Sequence, residues 1–178
     1  SWGLPYRLGE ERFARIFNRI VELARGKGLI SDRLSIVDST HVRAKVDTFK
    51  TKEDPDASPD KDAHYGYKTR KKPFFGYKAH ASMDSDSELI TRLQTTPGNA
   101  NDGNEFPRVV DSKAKTVTAD KAYDSKKNHR LLKRKRITSA IITKRNRRSH
   151  RLKRHQMKPD IIAAQRERPK IDRKFAEL

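Results

Sequence analysis

The chain has 178 residues, of which 42 are Lys or Arg and 23 are Asp or Glu, so its formal charge is +19 at pH 7. It contains no cysteine, which excludes a disulfide scaffold, a Cys-ligated zinc and a cysteine nucleophile. No apolar run approaches the roughly 18 residues of a membrane span, and no signal-peptide pattern opens the chain. The composition therefore predicts a cytoplasmic protein of one-domain size that binds a polyanion.

Positive charge is concentrated in residues 126–158, where 15 residues are Lys or Arg and none is Asp or Glu. Such a stretch repels itself unless a polyanion lies across it. The alternative is a solvated, partly disordered segment, but the apolar runs that interrupt it favour regular structure. The phosphate-binding candidates in this stretch are Lys133, Arg134, Lys135, Arg136, Lys144, Arg145, Arg147, Arg148, Arg151, Lys153 and Arg154.

In chain order, the first predicted element is an amphipathic helix over residues 9–25, where apolar residues recur at helical spacing and glycines follow. Residues 34–42 predict a strand that ends in polar residues. The stretch 47–73 is rich in Asp, Lys and Pro and predicts a long loop, which in a compact domain is usually functional or disordered. The remaining predicted strands are 75–83, 89–96, 116–120 and 137–143, and the remaining helices are 104–110, one from a Ser125 cap through Arg136, and one that begins at Pro169.

This order of elements predicts an α/β domain with a mixed five-stranded sheet flanked by helices. Three strands come first, and the turn at 84–87 makes a hairpin of two of them. Later strands alternate with helices, which is typical of a sheet covered by helices.

Two carboxylates stand where an apolar strand ends, namely Asp38 and Asp120. Sites in α/β sheets form at strand ends, so these acids can meet if their strands are neighbours. Two carboxylates about 4 Å apart repel by roughly 4 kcal/mol at an effective dielectric constant near 20. A divalent cation removes that cost, and oxygen ligands suit Mg²⁺ or Mn²⁺. The alternative for each acid is that it caps a turn.

A third acid would complete a site for two metal ions. The candidate is Glu177 on the last predicted helix, with Arg173 one turn before it. Spacing alone does not separate Glu177 from Glu167 or Asp172. The alternative for Arg173 and Glu177 is an ordinary surface ion pair at i, i+4.

Several short motifs follow one another along the chain: Asp38-Ser39-Thr40, the Gly-Tyr-Lys blocks at 66–68 and 76–78, and the segments 96–102, 119–125 and 171–178. Together they resemble the catalytic domain of bacterial insertion-sequence transposases of the DDE class, over most of residues 30–178. The resemblance implies a ribonuclease-H-like catalytic domain at 29–178, preceded by an N-terminal helical segment at 1–28.

By that resemblance, Asp38, Asp120 and Glu177 match three metal-binding acids that hold two Mg²⁺ or Mn²⁺ ions, and Arg173 matches the arginine of the third-acid signature. The implied activity is DNA strand cleavage with water as the nucleophile, and strand transfer with a DNA 3′-hydroxyl. The implied partners are the DNA of the element ends and the target, in the bacterial cytoplasm at the nucleoid. A homodimer in the DNA complex is compatible with this activity.

Tyr65 and Tyr67 lie beside basic residues in the predicted loop, where their rings can stack on exposed bases. The alternative is that rings pack on the sheet, which Phe75 and Tyr77 favour because they lie in a predicted strand.

The sequence also departs from the family pattern, with Ala122 where members often carry Gly and Lys170 where many carry Tyr. The chain starts at Ser1 without Met, so we expect a fragment or truncated copy. Two other classes fit the charge: a non-catalytic nucleic-acid-binding protein derived from a transposase, and a basic ribosome-associated protein that prefers RNA.

Overall fold

Six strands form one mixed sheet in the computed structural model, which describes residues 9–46, 60–69, 72–144, 146 and 154–177. The strands are β1 (Leu34–Arg43), β2 (His64–Thr69), β3 (Lys72–Asp84), β4 (Ile90–Pro97), β5 (Thr116–Ala119) and β6 (Thr138–Ser139). The helices are α1 (Glu10–Gly26), α2 (Asp102–Val109), α3 (Lys126–Arg134), α4 (Pro159–Arg166) and α5 (Pro169–Ala176), with a short 3₁₀ helix at Lys121–Tyr123. The α/β class and the mixed sheet are therefore as predicted.

The count of five strands is wrong for the described part of the chain, because β2 lies inside the stretch 47–73 that predicted a loop. This stretch is polar, yet Tyr65 and Gly66 pair with Phe75 and Phe74 of β3, so the neighbouring strand supplies the hydrogen bonds that composition does not reveal. Residues 47–59 of that loop lie outside the described residues.

The last predicted strand, 137–143, is regular only at Thr138–Ser139. Its continuation still follows β5, because the Ala140 and Ile142 N–H groups donate to the carbonyls of Val117 and Ala119.

β3 is the longest strand and pairs with three others, β1, β2 and β4. β1 pairs antiparallel with one edge of it, and β2 and β4 follow one another along the other edge, also antiparallel. β5 is parallel to β1, and β6 is parallel to β5. In the β1–β5 register Val37 faces Ala119, so the residues after them, Asp38 and Asp120, are the next pair along two parallel neighbours.

Alternation along β1 divides the core between the two faces of the sheet. Val37 packs into the cluster that contains Phe106 of α2 and Leu132 of α3. Leu34 packs with Ile161 of α4, and Ile36 packs in a cluster with Ile171 of α5. Asp38 shares the face of Ile36 by this alternation, so it points toward the side of the sheet that α4 and α5 cover.

α1 is attached to this domain by a buried arginine. The Arg25 guanidinium bonds both carboxylate oxygens of Asp32, at 2.7 and 2.9 Å, and one oxygen of Asp111 at 2.8 Å. The Asp111 side chain is only 2% exposed, so the arginine neutralises a carboxylate that water does not reach. Among the described residues, no helix is long and apolar enough to span a bilayer.

Hydrogen bonds made by the side chains of Ser125 and Asn128 fix the position of the segment that follows β5. Ser125 caps α3, as predicted, by accepting from the Asn128 N–H at 3.1 Å. The buried Asn128 amide donates to the Tyr123 carbonyl at 2.9 Å and to the Gly103 carbonyl at 3.0 Å. The turn after Asp120 is thereby held against the first turn of α2.

Candidate active site

The parallel register of β1 and β5 determines the relative positions of Asp38 and Asp120. Both residues stand one position beyond the last β1–β5 pair, Val37 and Ala119. Asp120 directly follows β5, whereas Asp38 lies in the middle of β1, which continues along β3 to Arg43 and so does not end where the apolar residues do. Because side chains alternate along a strand, Asp38 and Asp120 project from the same face as Ile36 and Thr118. The structure therefore brings together the two acids that the sequence singles out.

The Asp38 side chain is largely buried, with 16% of its surface exposed. One of its oxygens accepts from Arg168 Nη1 at 2.7 Å, and the other accepts from the Ser39 N–H at 2.8 Å. Burial nevertheless raises the pKa of Asp38 to about 6, and the charges of Asp172 and Asp120 act in the same direction. The hydrogen bond from Ser39 and the charge of Arg168 only partly offset that rise.

Asp172 is the acid that α5 turns toward Asp38. Ile171 is fully buried against the sheet, which fixes the rotation of this short helix. Arg168, just before α5, bonds Asp38 with one nitrogen and lies 3.4 Å from an Asp172 oxygen with the other. Arg168 thus bridges a carboxylate on β1 and a carboxylate on α5.

Glu177 caps the carboxyl end of α5, one residue beyond Ala176. Its carboxylate pairs with Lys174 Nζ at 2.9 Å and its side chain is 63% exposed. At 100° per residue, positions 172 and 177 differ by about 140° around a helix. Arg173 is exposed, and Glu167 pairs with Arg33 and Lys170.

Spacing left Glu167, Asp172 and Glu177 open as the third acid, and the resemblance pointed to Glu177 and Arg173, so the sequence did not single out Asp172 or Arg168. The signal was present but ambiguous, because Arg168 and Asp172 have the same four-residue separation as Arg173 and Glu177. Among the described residues, no three His, Cys, Asp or Glu side chains already form a cluster that could hold a metal ion.

Tyr123 is a further residue that the sequence did not single out. It is 1% exposed, and its hydroxyl lies beside Ser39 with no hydrogen bond of normal geometry among the described residues. Burial raises its pKa, and the negative charges of Asp38 and Asp120 raise it further. The hydroxyl is therefore a neutral donor placed close to both of these carboxylates.

Two depressions adjoin one another near the end of β5, and Asp120 lines the first of them. The first, called here the carboxylate groove, has a volume of about 810 Å³ and is lined by Asp120, Lys121, Ala122, Thr143 and Lys144, among others. The second, called the tyrosine pocket, has a volume of about 450 Å³ and contains both Tyr65 and Tyr67. Ala122 and Lys144 line both depressions, so one leads into the other.

A buried network holds Lys144 at this junction. Its backbone N–H donates to Asp124 at 2.8 Å, and the other oxygen of Asp124 lies 2.8 Å from His129 Nε2. His129 Nδ1 lies 3.0 Å from the Ser139 hydroxyl, which links the network to β6.

The other predicted phosphate contacts are distributed differently. Lys133, Arg134, Lys135 and Arg136 are exposed at the far end of α3, just before Thr138 pairs with the first residue of β5. They therefore lie at the opposite end of β5 from Asp120. Arg154 is exposed on a short helical turn. Arg145, Arg147, Arg148, Arg151 and Lys153 lie outside the described residues.

Comparisons with known proteins agree with the motif order. A family model described as a transposase DDE domain matches residues 30–176. The chain is 36% identical over 91 residues to the transposase for insertion sequence element IS1106 of Neisseria meningitidis serogroup B. That alignment covers 49% of this chain and 30% of the relative, so the chain spans less than a third of the relative's length. No solved structure matches the chain significantly.

Proposed function

Because this chain belongs to the family of transposase DDE domains, we propose that it forms part of an enzyme that cleaves DNA strands and joins them to new sites. The observation that carries this proposal is the placement of Asp38 and Asp120 on adjacent parallel strands, with Asp172 connected to Asp38 through Arg168. The catalytic domain is proposed to span residues 29–178 and to have the ribonuclease-H-like fold that the family implies.

The donor set fits a hard divalent cation. All three side chains offer only carboxylate oxygens, which Mg²⁺ and Mn²⁺ prefer. Asp38 has a raised pKa because it is buried close to other acids, and a divalent cation would relieve both causes. When bound, such ions would activate water or a DNA 3′-hydroxyl and stabilise the departing oxygen.

We propose Asp172, in place of Glu177, as the third acid. Asp172 is one of the two carboxylates whose charge raises the pKa of Asp38, and it shares the Arg168 guanidinium with it. Both side chains are exposed, 54% for Asp172 and 63% for Glu177, so the difference between them is their partner: Glu177 bonds Lys174, whereas Asp172 shares Arg168 with Asp38. For the same reason Arg168, rather than the exposed Arg173, is the proposed signature arginine.

The chain's own residues position these carboxylates. Arg168 fixes the orientation of Asp38 through one oxygen, while the Ser39 N–H holds the other. Tyr123 fills the space beside Ser39 and excludes water from that side of β1. Lys144, in the carboxylate groove, carries a positive charge next to Asp120 where a DNA phosphate would pass.

DNA is the proposed partner, and the charge of +19 supplies the general attraction. If Z phosphates are neutralised, the logarithm of the binding constant should fall with the logarithm of salt concentration at a slope of about −0.9Z. A homodimer in the DNA complex and an association with the nucleoid stay predictions.

The test is Mg²⁺-dependent nicking of supercoiled plasmid DNA by the full chain. Asp38→Asn and Asp120→Asn should abolish nicking while DNA binding persists, and Asp160→Asn, an exposed acid on α4, should leave both unchanged. A wild-type chain that binds DNA but never cuts it with Mg²⁺ or Mn²⁺ would support the non-catalytic binding protein instead. A clear preference for RNA would favour the ribosome-associated alternative.

A further inference from the structure

The tyrosine pocket is built differently from the carboxylate groove that it adjoins. Its walls come from β2 and from the segment between β4 and α2, and aromatic, amide and charged groups all line it. Tyr67 leaves 64% of its surface exposed, which is unusual for a large ring in a strand. Tyr65 is held against Phe75, with ring centroids 4.9 Å apart.

Two glycines, Gly66 on β2 and Gly98 just after β4, allow these two backbones to approach closely beside the pocket. A Cβ atom on Gly66 would collide with the Gly98 carbonyl oxygen, and one on Gly98 would lie 2.5 Å from the His64 carbonyl oxygen. These glycines therefore let two backbones pack closely, and the wall that carries Tyr65 and Tyr67 is fixed rather than loosely attached.

Polar groups in the pocket present a donor and an acceptor side by side. Lys78 Nζ donates to the Ala100 carbonyl at 2.8 Å and to Asp102 at 3.0 Å. An ammonium has three donors, so these two bonds leave one, and Lys78 and Asp102 both line the pocket. The Asn99 side chain is exposed on the rim and adds an amide with both functions.

This combination matches the chemistry of one nucleobase. A base offers two flat faces for stacking and an edge with adjacent donors and acceptors. The volume of about 450 Å³ lies at the low end of small-ligand sites and admits a single base, not a duplex. A base paired inside a duplex cannot enter a concave pocket, so the ligand must be unpaired.

We propose that the tyrosine pocket binds one unpaired nucleobase of the DNA strand whose phosphate lies at the carboxylate groove. Continuity through Ala122 and Lys144 places the pocket next to the reacting phosphate, and Tyr67 supplies the stacking face. This inference rests on DNA being the partner in the proposed function, but it requires neither metal ions nor cleavage.

The experiment measures binding in EDTA with the Asp38→Asn chain, so that no strand is cut. The probe is a short duplex that carries one unpaired 2-aminopurine, and the control is the same duplex fully paired. We expect the unpaired probe to bind more tightly, with quenched 2-aminopurine fluorescence. Tyr67→Ala should weaken its binding on the order of ten- to a hundredfold, the range for loss of one base–aromatic stack, and leave the paired duplex within about twofold.

Tyr67→Trp should retain both the affinity and the quenching, because it keeps the stacking face. Leu93→Ala, an exposed apolar residue on β4, is the matched control and should change neither probe. Asn99→Ala gives a second readout, a smaller loss confined to the unpaired probe. Equal weakening of both probes by Tyr67→Ala, or equal wild-type affinity for them, would overturn the proposal.

The two proposals fail separately. Absence of Mg²⁺-dependent nicking with intact discrimination between the probes would remove the catalytic function and leave the base pocket. Conversely, nicking that Tyr67→Ala does not affect, together with equal binding of the paired and unpaired probes, would remove the base pocket and leave the catalytic function.

Discussion

The two ends of the β1–β5 pair treat their carboxylates in opposite ways. At the start of these strands, which we call the clasp end, Arg25 binds Asp32 and Asp111, and Arg33 binds Asp86 and Glu167. At the other end, the carboxylate end, lie Asp38, Asp120 and Asp172, and Arg168, which bonds Asp38 and Asp172, is the one arginine bonded to any of them among the described residues. The carboxylates named at the clasp end are each paired with an arginine, whereas the three at the carboxylate end have one arginine between them.

The pKa values record this difference. At the clasp end, the Arg33 side chain holds the pKa of Asp86 well below its usual range. At the carboxylate end, burial and neighbouring acids raise the pKa of Asp38 to about 6. A chain with 42 Lys and Arg has enough cations to neutralise every acid, so the shortage at one end is local. Acids whose pKa is raised by burial together with neighbouring charges cluster at functional sites.

The largest expected effect is a loss of stability when the ion pairs at the clasp end are removed. Arg25→Met leaves the Asp111 carboxylate, 2% exposed, without its cation and should lower the free energy of unfolding by about 3–5 kcal/mol. The melting temperature should fall by roughly 6–20 °C, as measured by circular dichroism. The double variant with Asp111→Asn should recover part of that loss. A melting temperature within about 2 °C of wild type would contradict the structural role of the clasp.

The next prediction separates two acids of the last helix. Asp172→Asn should reduce metal-dependent nicking on the order of a hundredfold, equivalent to about 2.7 kcal/mol, whereas Glu177→Gln should stay within about twofold. The physical reason is that Asp172 shares Arg168 with Asp38, while Glu177 pairs with Lys174 at the surface. Nicking rates and Mn²⁺ affinity by paramagnetic resonance would check this pair. The opposite ranking would restore Glu177 as the third acid.

The third prediction concerns stability against pH at the carboxylate end. The pKa of Asp38 is raised from 3.8 to about 6, so the folded state keeps the proton after the unfolded state has lost it. Stability should therefore fall as pH rises from about 4 to about 6, relative to Asp38→Asn, which carries no charge. At pH 7 in EDTA the variant should be more stable by on the order of 2–3 kcal/mol.

Melting curves of both chains at pH 4 and pH 7 would measure this effect. The difference should be nearly absent at the lower pH, because Asp38 is then largely protonated. An Asn variant less stable than wild type at pH 7 would mean that Arg168 fully compensates the carboxylate.

The smallest expected effect returns to the clasp end. Arg33→Met should change the free energy of unfolding by less than about 1 kcal/mol, because the Arg33 side chain is 52% exposed and its partner Asp86 is 40% exposed. Urea denaturation alongside Arg25→Met would show whether burial decides the strength of the clasp. Equal losses in the two variants would remove that distinction.

Much of the fold follows from local sequence patterns. The helix of α1, the strand of β1 and the β3–β4 hairpin have apolar spacing that is legible in one window, and Ser125 is a recognisable cap. β2 is different, because its polar residues become a strand only when β3 pairs with them. Local composition carries no information about a partner that is supplied by the tertiary structure.

The candidate site divides in the same way. Asp38 and Asp120 could be found because each follows an apolar run, and the parallel register then places them side by side. Spacing did not determine the third acid, since Arg168–Asp172 and Arg173–Glu177 have identical separations, and the resemblance assigned the role to Glu177. What separates them is the rotation of α5, which the burial of Ile171 determines and which spacing alone does not encode.

The wide separation of these carboxylates along the chain has a consequence during synthesis. β1 can pair with β3 as soon as both have left the ribosome, but Asp120 joins Asp38 only after β5 emerges, and Asp172 later still. At about 5–20 residues per second, the interval between the last two acids is roughly 3–10 s. A nascent chain therefore folds most of its sheet before the three acids of the proposed site can come together.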